Sequence, residues 1–156
     1  MDITLIATAA MTLIGPYLQK SGEAFAKKAG EDLWNKVKKA FTRDKDKELV
    51  NKVEAGSVSK SDLTELKNML AQRLTEEADL LVALKENLNI TPANEFMLEN
   101  NLKAAAMIRT ELEPLYLEQI DASVANEGDY SNRIALLERK LVKVDEKLIR
   151  LLTASN

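Results

Sequence analysis

Cysteine and histidine are both absent from these 156 residues. Without cysteine there is no disulfide, no thiolate nucleophile and no cysteine zinc site, and a reducing compartment is permitted without being required. Without histidine the commonest general base, the Ser-His and Cys-His pairings and the usual imidazole metal ligand are lost. No Gly-rich phosphate loop of the P-loop or dinucleotide type occurs. Carboxylate acid-base chemistry or a lysine Schiff base remains formally open, but the chain is read as non-enzymatic, with no metal, no cofactor and no small-molecule substrate. The cluster Glu76, Glu77, Asp79 lacks the Glu-x-x-His pairs of a helical di-iron site and reads as a solvated helix face.

Glycine numbers 5, proline 3, and aromatics make up 4% of the chain, whereas Leu, Ala, Glu and Lys dominate. That balance suits helices better than sheets. The expectation is an all-α fold, a helical bundle of about four to six helices with a hydrophobic N-terminal helix. Residues 1–125 are assigned to the bundle, and 126–156 to a C-terminal amphipathic helix that packs on it or self-associates.

After Asp2 the chain carries no charge as far as Gln19, and it is then broken by Gly15-Pro16. Proline suits the first position of a helix, so helix one is expected to end near Ile14 and helix two to start near Pro16. Phe25, Ala29, Leu33, Val37 and Phe41 recur every four residues, with Trp34 and Ala40 beside them, and draw one apolar stripe along helix two. A short helix is expected over Glu48 to Glu54. Ser59-Lys60-Ser61-Asp62 looks like a capping box opening a helix to about Leu88. Thr91-Pro92 supplies a further N-cap for a helix ending at Glu113-Pro114, followed by a weaker stretch from Leu115 to Ile120. Ala125 to Asp129 reads as a turn, and the last helix follows from about Ser131.

Three segments carry functional readings. The opening one, with Asp2, Ile3, Leu5, Ile6, Met11, Leu13 and Ile14, begins with an acid and lacks the positive n-region of a secretory signal. It falls just short of the roughly 17 to 25 residues that a spanning helix needs. Its large apolar residues favour insertion by only about 2 to 4 kcal/mol, which the threonines, Gly15 and Pro16 erode. Such a helix suits either a buried place in a soluble bundle or entry into lipid once several copies associate. Thr4, Thr8 and Thr12 share one face, where small hydroxyl residues allow close helix contact in lipid or simply meet water.

The second segment is the basic side of helix two, where Lys27, Lys28, Lys36, Lys38 and Lys39 read as an attraction to anionic headgroups or as an ordinary solvated face. Nucleic acid is not expected, because stacking aromatics and binding motifs do not accompany the lysines. The third is the C-terminal helix, where Ile134, Leu137, Leu141, Val144, Leu148 and Leu151 hold heptad a/d positions. That spacing serves self-association or a packed bundle helix equally.

Taken in order, Asp2-Ile3-Thr4-Leu5-Ile6-Ala7-Thr8-Ala9-Ala10, Gly15-Pro16-Tyr17-Leu18, Gly22-Glu23-Ala24-Phe25-Ala26 and the basic run from Lys36 to Phe41 resemble the Bell domain. This is the bacterial relative of the HeLo and HeLo-like helical cell-death domains. The resemblance is clearest over the first 45 or so residues, as a pattern without an invariant motif. It implies a cytoplasmic bundle whose N-terminal helix is released on activation and permeabilises the inner face of the cell membrane, as a homo-oligomer on anionic lipids. Such domains act as death effectors in bacterial immunity and antiviral defence, often downstream of a nucleotide-binding oligomerisation receptor. The chain departs from the fuller architecture in showing neither a receptor ATPase nor an Asn/Gln-rich amyloid-like tail. The alternative is a non-lytic helical adaptor or oligomerisation module acting through the Ile134 to Leu151 stripe.

Overall fold

The computed structural model describes residues 1–21, 24–122 and 127–153, without the side chain of Phe25. These residues form seven α-helices and one 3-10 turn: α1 (Ile3–Leu18), α2 (Ala24–Val37), the turn Lys38–Ala40, α3 (Asp44–Glu54), α4 (Lys60–Glu76), α5 (Ala78–Asn87), α6 (Glu95–Asp121) and α7 (Glu127–Thr153). The fold is an all-α bundle, and there is no strand among the described residues.

Asp2 caps α1, its carboxylate accepting from the Leu5 backbone N–H at 2.8 Å. The helix does not stop at Ile14. It runs through Pro16 to Leu18, and Gln19 N–H closes on Gly15 carbonyl at 3.0 Å. Proline fixes φ at a helical value, so what Pro16 removes is one hydrogen bond to the Thr12 carbonyl. The expected start of helix two at Pro16 is therefore replaced by a turn at Gln19 and Lys20, where Lys20 takes φ 56°, and α2 begins at Ala24.

The capping box stands as expected: Ser59 and Asp62 satisfy each other's backbone N–H groups at 3.0 and 3.1 Å. The helix it opens does not reach Leu88, because Glu77 adopts extended backbone and splits α4 from α5. Arg73 holds that break, its guanidinium donating to the Ala40 carbonyl at 3.1 Å and pairing with Glu76 and Glu77. Thr91 does not cap the next helix; Asn94 folds back instead, accepting from Thr91 N–H at 2.9 Å and donating to Asn89 carbonyl at 2.7 Å. The helix α6 also passes through its proline, Pro114, so the weak stretch after it is helical to Asp121. Of the expected turn, Ala125 and Asn126 lie outside the described residues and Glu127 to Asp129 already belong to α7.

Ile6, Ala7, Ala9, Ala10, Leu13, Ile14 and Leu18 of α1 sit at the centre of the core. Around them lie Leu33, Trp34 and Val37 of α2, Leu66, Leu70 and Leu74 of α4, and the paired ends of α6 and α7 through Leu98, Leu102, Leu148 and Leu152. α6 and α7 form a long antiparallel hairpin. Leu112, Leu115 and Ile134 build a second, smaller cluster towards its tip.

Candidate functional site

The opening helix is the candidate site because it combines the longest uncharged run with the most enclosed position. Its acceptor environment is fixed on one side by α2. A Cβ built on Gly30 would lie 2.3 Å from the Leu13 carbonyl oxygen and 2.9 Å from Tyr17 Cβ, so α2 approaches α1 more closely than any side chain permits. The sequence reading passed over Gly30. Its signal was a glycine inside a strongly periodic helix, which marks a close approach.

The opposite flank is open. A cavity of about 530 Å³ runs between the C-terminal half of α1 and helices α4, α6 and α7. Met11, Leu63, Leu112, Leu141 and Ile149 make its apolar wall. Arg109 and Asp145 meet across it, with the guanidinium 3.3 and 3.4 Å from the two carboxylate oxygens. Burial pushes the Asp145 carboxyl above its usual range, and the neighbouring Arg109 charge works against that rise. Thr12 faces the same space, and its hydroxyl donates back to the Thr8 carbonyl at 3.0 Å. Thr8 does the same to the Thr4 carbonyl at 2.8 Å, so the threonine face is satisfied within its own helix.

The seven residues named for membrane entry fall on different sides of α1. Ile6, Leu13 and Ile14 are buried, Ile3, Leu5 and Met11 are half-buried and packed against the core, and Asp2 is the exposed cap. No helix among the described residues is long and apolar enough to cross a membrane. Met1 anchors the start of α1 through an ion pair with Glu95 in the first turn of α6.

The basic side of α2 does not form one continuous patch. Lys38 is paired with Glu54 at 3.1 Å, which also accepts from the Trp34 indole N–H at 3.0 Å. Lys36 donates to Asn87 at 2.8 Å and Lys27 is half-buried. Lys28 and Lys39 are exposed, and exposed Glu31, Asp32 and Asn35 lie between them in sequence. Lys36 is exposed as well, so three of the five named lysines face water, Lys36 with Asn87 as its partner.

The heptad residues of α7 turn inward. Ile134, Leu137 and Leu141 pack with Leu112 and Leu115 of α6, while Leu141, Val144, Leu148 and Leu151 join the main core. What α7 leaves exposed lies off that stripe, at Leu136 and Val142. On α6, Phe96, Met107, Leu117 and Ile120 are also exposed, and no heptad stripe marks them because they belong to a helix apolar on more than one side. Neither a protein-family model, nor a curated protein, nor a solved structure matches this chain.

Proposed function

We propose that this chain is a latent membrane-permeabilising effector, held inactive by the burial of α1 and activated when α1 leaves the bundle. The observation that supports this reading is the uncharged, capped helix at the very centre of an otherwise polar bundle, bounded on one flank by a cavity rather than by packed side chains. The resemblance of its first residues to the Bell domain points the same way. In this reading the effector works from the cytoplasm against the inner face of the cell membrane, as a homo-oligomer. Its trigger would be a signalling partner such as a nucleotide-binding oligomerisation receptor.

The magnitudes define what activation has to supply. Ile6, Leu13, Ile14 and Leu18 are each no more than 6% exposed. Returning them to water costs on the order of 6 to 12 kcal/mol, comparable to the whole stability of a domain. Insertion returns about 2 to 4 kcal/mol. A single copy therefore stays closed, and release requires a partner or several copies acting together. The hairpin α6–α7 is the element that must lift, because the α2 flank is sealed at Gly30 and the hairpin flank is not. Lys28 and Lys39 would then meet anionic headgroups.

Dye release from vesicles rich in phosphatidylglycerol tests the proposal. The wild-type chain is compared with Thr4→Glu and Thr8→Glu, with assay temperatures raised to just below the unfolding midpoint so that α1 opens. Both substitutions lie on the face of α1 that the core does not use, and circular dichroism checks that the bundle persists. Wild-type leakage that either glutamate abolishes is the expected result. Leakage unchanged by both glutamates, or absent from the wild type throughout, rules the reading out.

A further inference from the structure

The space beside the C-terminal half of α1 has the dimensions and the lining of a ligand site. Its volume of about 530 Å³ lies within the ~300 to 1,000 Å³ of small-molecule sites. Met11, Leu63, Leu112, Leu141 and Ile149 supply an apolar wall drawn from α1, α4, α6 and α7. Exposed Gln19, Lys60 and Glu113 stand at its rim, so a molecule can enter from solvent while the bundle stays closed.

The polar groups along the wall are acceptors short of donors. Thr12 and Pro16 both line the cavity and, one turn apart, share one side of α1. A helical carbonyl points along that side at the N–H of the next turn, and Pro16 has none to give, so the Thr12 carbonyl is left open on the cavity face. Across the space, the Asp145 carboxylate has Arg109 as its hydrogen-bond donor among the described residues, at 3.3 and 3.4 Å. Those contacts are longer than the ~2.7 to 2.9 Å of a tight charge-assisted bond. The hydroxyls that line the cavity are already engaged: Thr12 donates to the Thr8 carbonyl, Thr64 to the Lys60 carbonyl and Tyr116 to Glu138. The wall therefore suits a donor-bearing head beside an apolar chain. Charge decides which donors. Lys60 and Arg109 balance Glu113 and Asp145, so an added cation or anion finds no uncompensated partner and would be desolvated without return. A hydroxyl carries no charge, donates to both acceptors and accepts from Arg109.

We propose that this cavity binds an uncharged single-chain lipid with a hydroxyl-bearing head, of the monoacylglycerol kind. The acyl chain lies along Met11, Leu63 and Leu141, and the head hydroxyls meet the Thr12 carbonyl and the Asp145 carboxylate. Such a molecule bridges α1 to the α6–α7 hairpin and, by binding only the folded chain, stabilises the closed bundle as its concentration rises. The site belongs to the closed state, so the proposal stands apart from the release of α1 and from any action on membranes.

Isothermal titration of the full chain with monocaprin, kept below its micelle concentration, tests it. Decanoate and decylammonium carry a comparable chain on an anionic and a cationic head and serve as the contrast. Monocaprin should bind at a single site with a dissociation constant on the order of tens of micromolar, about tenfold tighter than either charged probe. Gly15→Leu fills the space from α1, because a Cβ at that position has only Leu63 Cδ1 near it, at 3.8 Å. It should keep the helicity and lower monocaprin affinity by about tenfold or more. Pro16→Ala returns an N–H to the Thr12 carbonyl without adding bulk, and should weaken monocaprin by about fivefold. Absence of saturable monocaprin binding overturns the proposal. So do charged probes that bind as tightly, or either variant binding like the wild type with its circular dichroism unchanged.

Discussion

The two flanks of α1 are built to different tolerances. Against α2, the helix is pressed so closely that position 30 accepts no side chain, and Leu13, Leu33 and Trp34 close the seam. Against α6 and α7, the C-terminal half of the same helix borders about 530 Å³ of open space spanned by one partly exposed ion pair. Under the proposed release of α1, the difference locates where the bundle would open. Interiors packed to crystal-like density separate at the place where contacts are already missing, so α1 and α2 would move as a pair with the hairpin as the cover. The largest test of this asymmetry is Gly30→Ala. Its added methyl meets a backbone carbonyl, which cannot rotate away, so the substitution should destabilise by about 3 kcal/mol. The gain in helix propensity, about 1 kcal/mol, does not offset that. A urea midpoint equal to or above the wild type would show that the two helices separate freely.

Truncations on the two flanks should rank in the same order. Leu33→Ala, at a side chain 4% exposed on the α2 side, should cost about 3 kcal/mol. Leu141→Ala lies half-buried beside the existing cavity and should cost about 1 kcal/mol, because fewer contacts surround it. Equal losses in chemical denaturation would erase the distinction. In the opposite direction, Gly15→Ala should stabilise by about 0.5 to 1 kcal/mol. Its new methyl would find Leu63 Cδ1 at 3.8 Å, an ordinary contact on the open flank. The paired glycines thus predict opposite signs for one and the same substitution.

How much of this was legible beforehand follows from what periodicity encodes. A stripe such as Leu66, Leu70 and Leu74 says which face of a helix is buried, and those residues are buried. The capping box at Ser59 and Asp62 was readable because it is a local device, closed over three residues. The prolines misled, because Pro16 and Pro114 each forfeit a single hydrogen bond inside helices that tertiary packing sustains. The split at Glu77 was not legible either, since it is held by Arg73 reaching the Ala40 carbonyl 33 residues away. The same limit applies to the heptads of α7: their spacing fixes an apolar face without saying whether the partner is α6 or another molecule. The exposed tip residues Leu117 and Ile120 had no periodic signal, because the stretch containing them is apolar on two sides.

The smallest expected effect concerns two carboxylates, Asp62 in the capping box of α4 and Asp145 on the cavity wall, whose ionisation answers folding with opposite sign. The Asp62 carboxyl is held below its usual range, first by the Ser59 backbone N–H and then by the Lys52 ammonium 2.9 Å away. A depressed folded pKa means that the unfolded chain binds the proton more readily, so this stabilisation is present above the unfolded aspartate pKa and fades as pH falls through the folded one. Asp145 is raised by burial, so the folded chain binds its proton more readily. Its ionised form disfavours the fold, and that penalty is relieved as pH falls through its raised pKa. Asp62→Asn should therefore flatten the acid limb of the stability profile, whereas Asp145→Asn should steepen it. Denaturation midpoints recorded from neutral to acid pH separate the two. If both substitutions changed the slope in the same direction, Asp145 would be as well solvated as a surface carboxylate, and the cavity flank would lose its mark as the side by which α1 would leave in the proposed release.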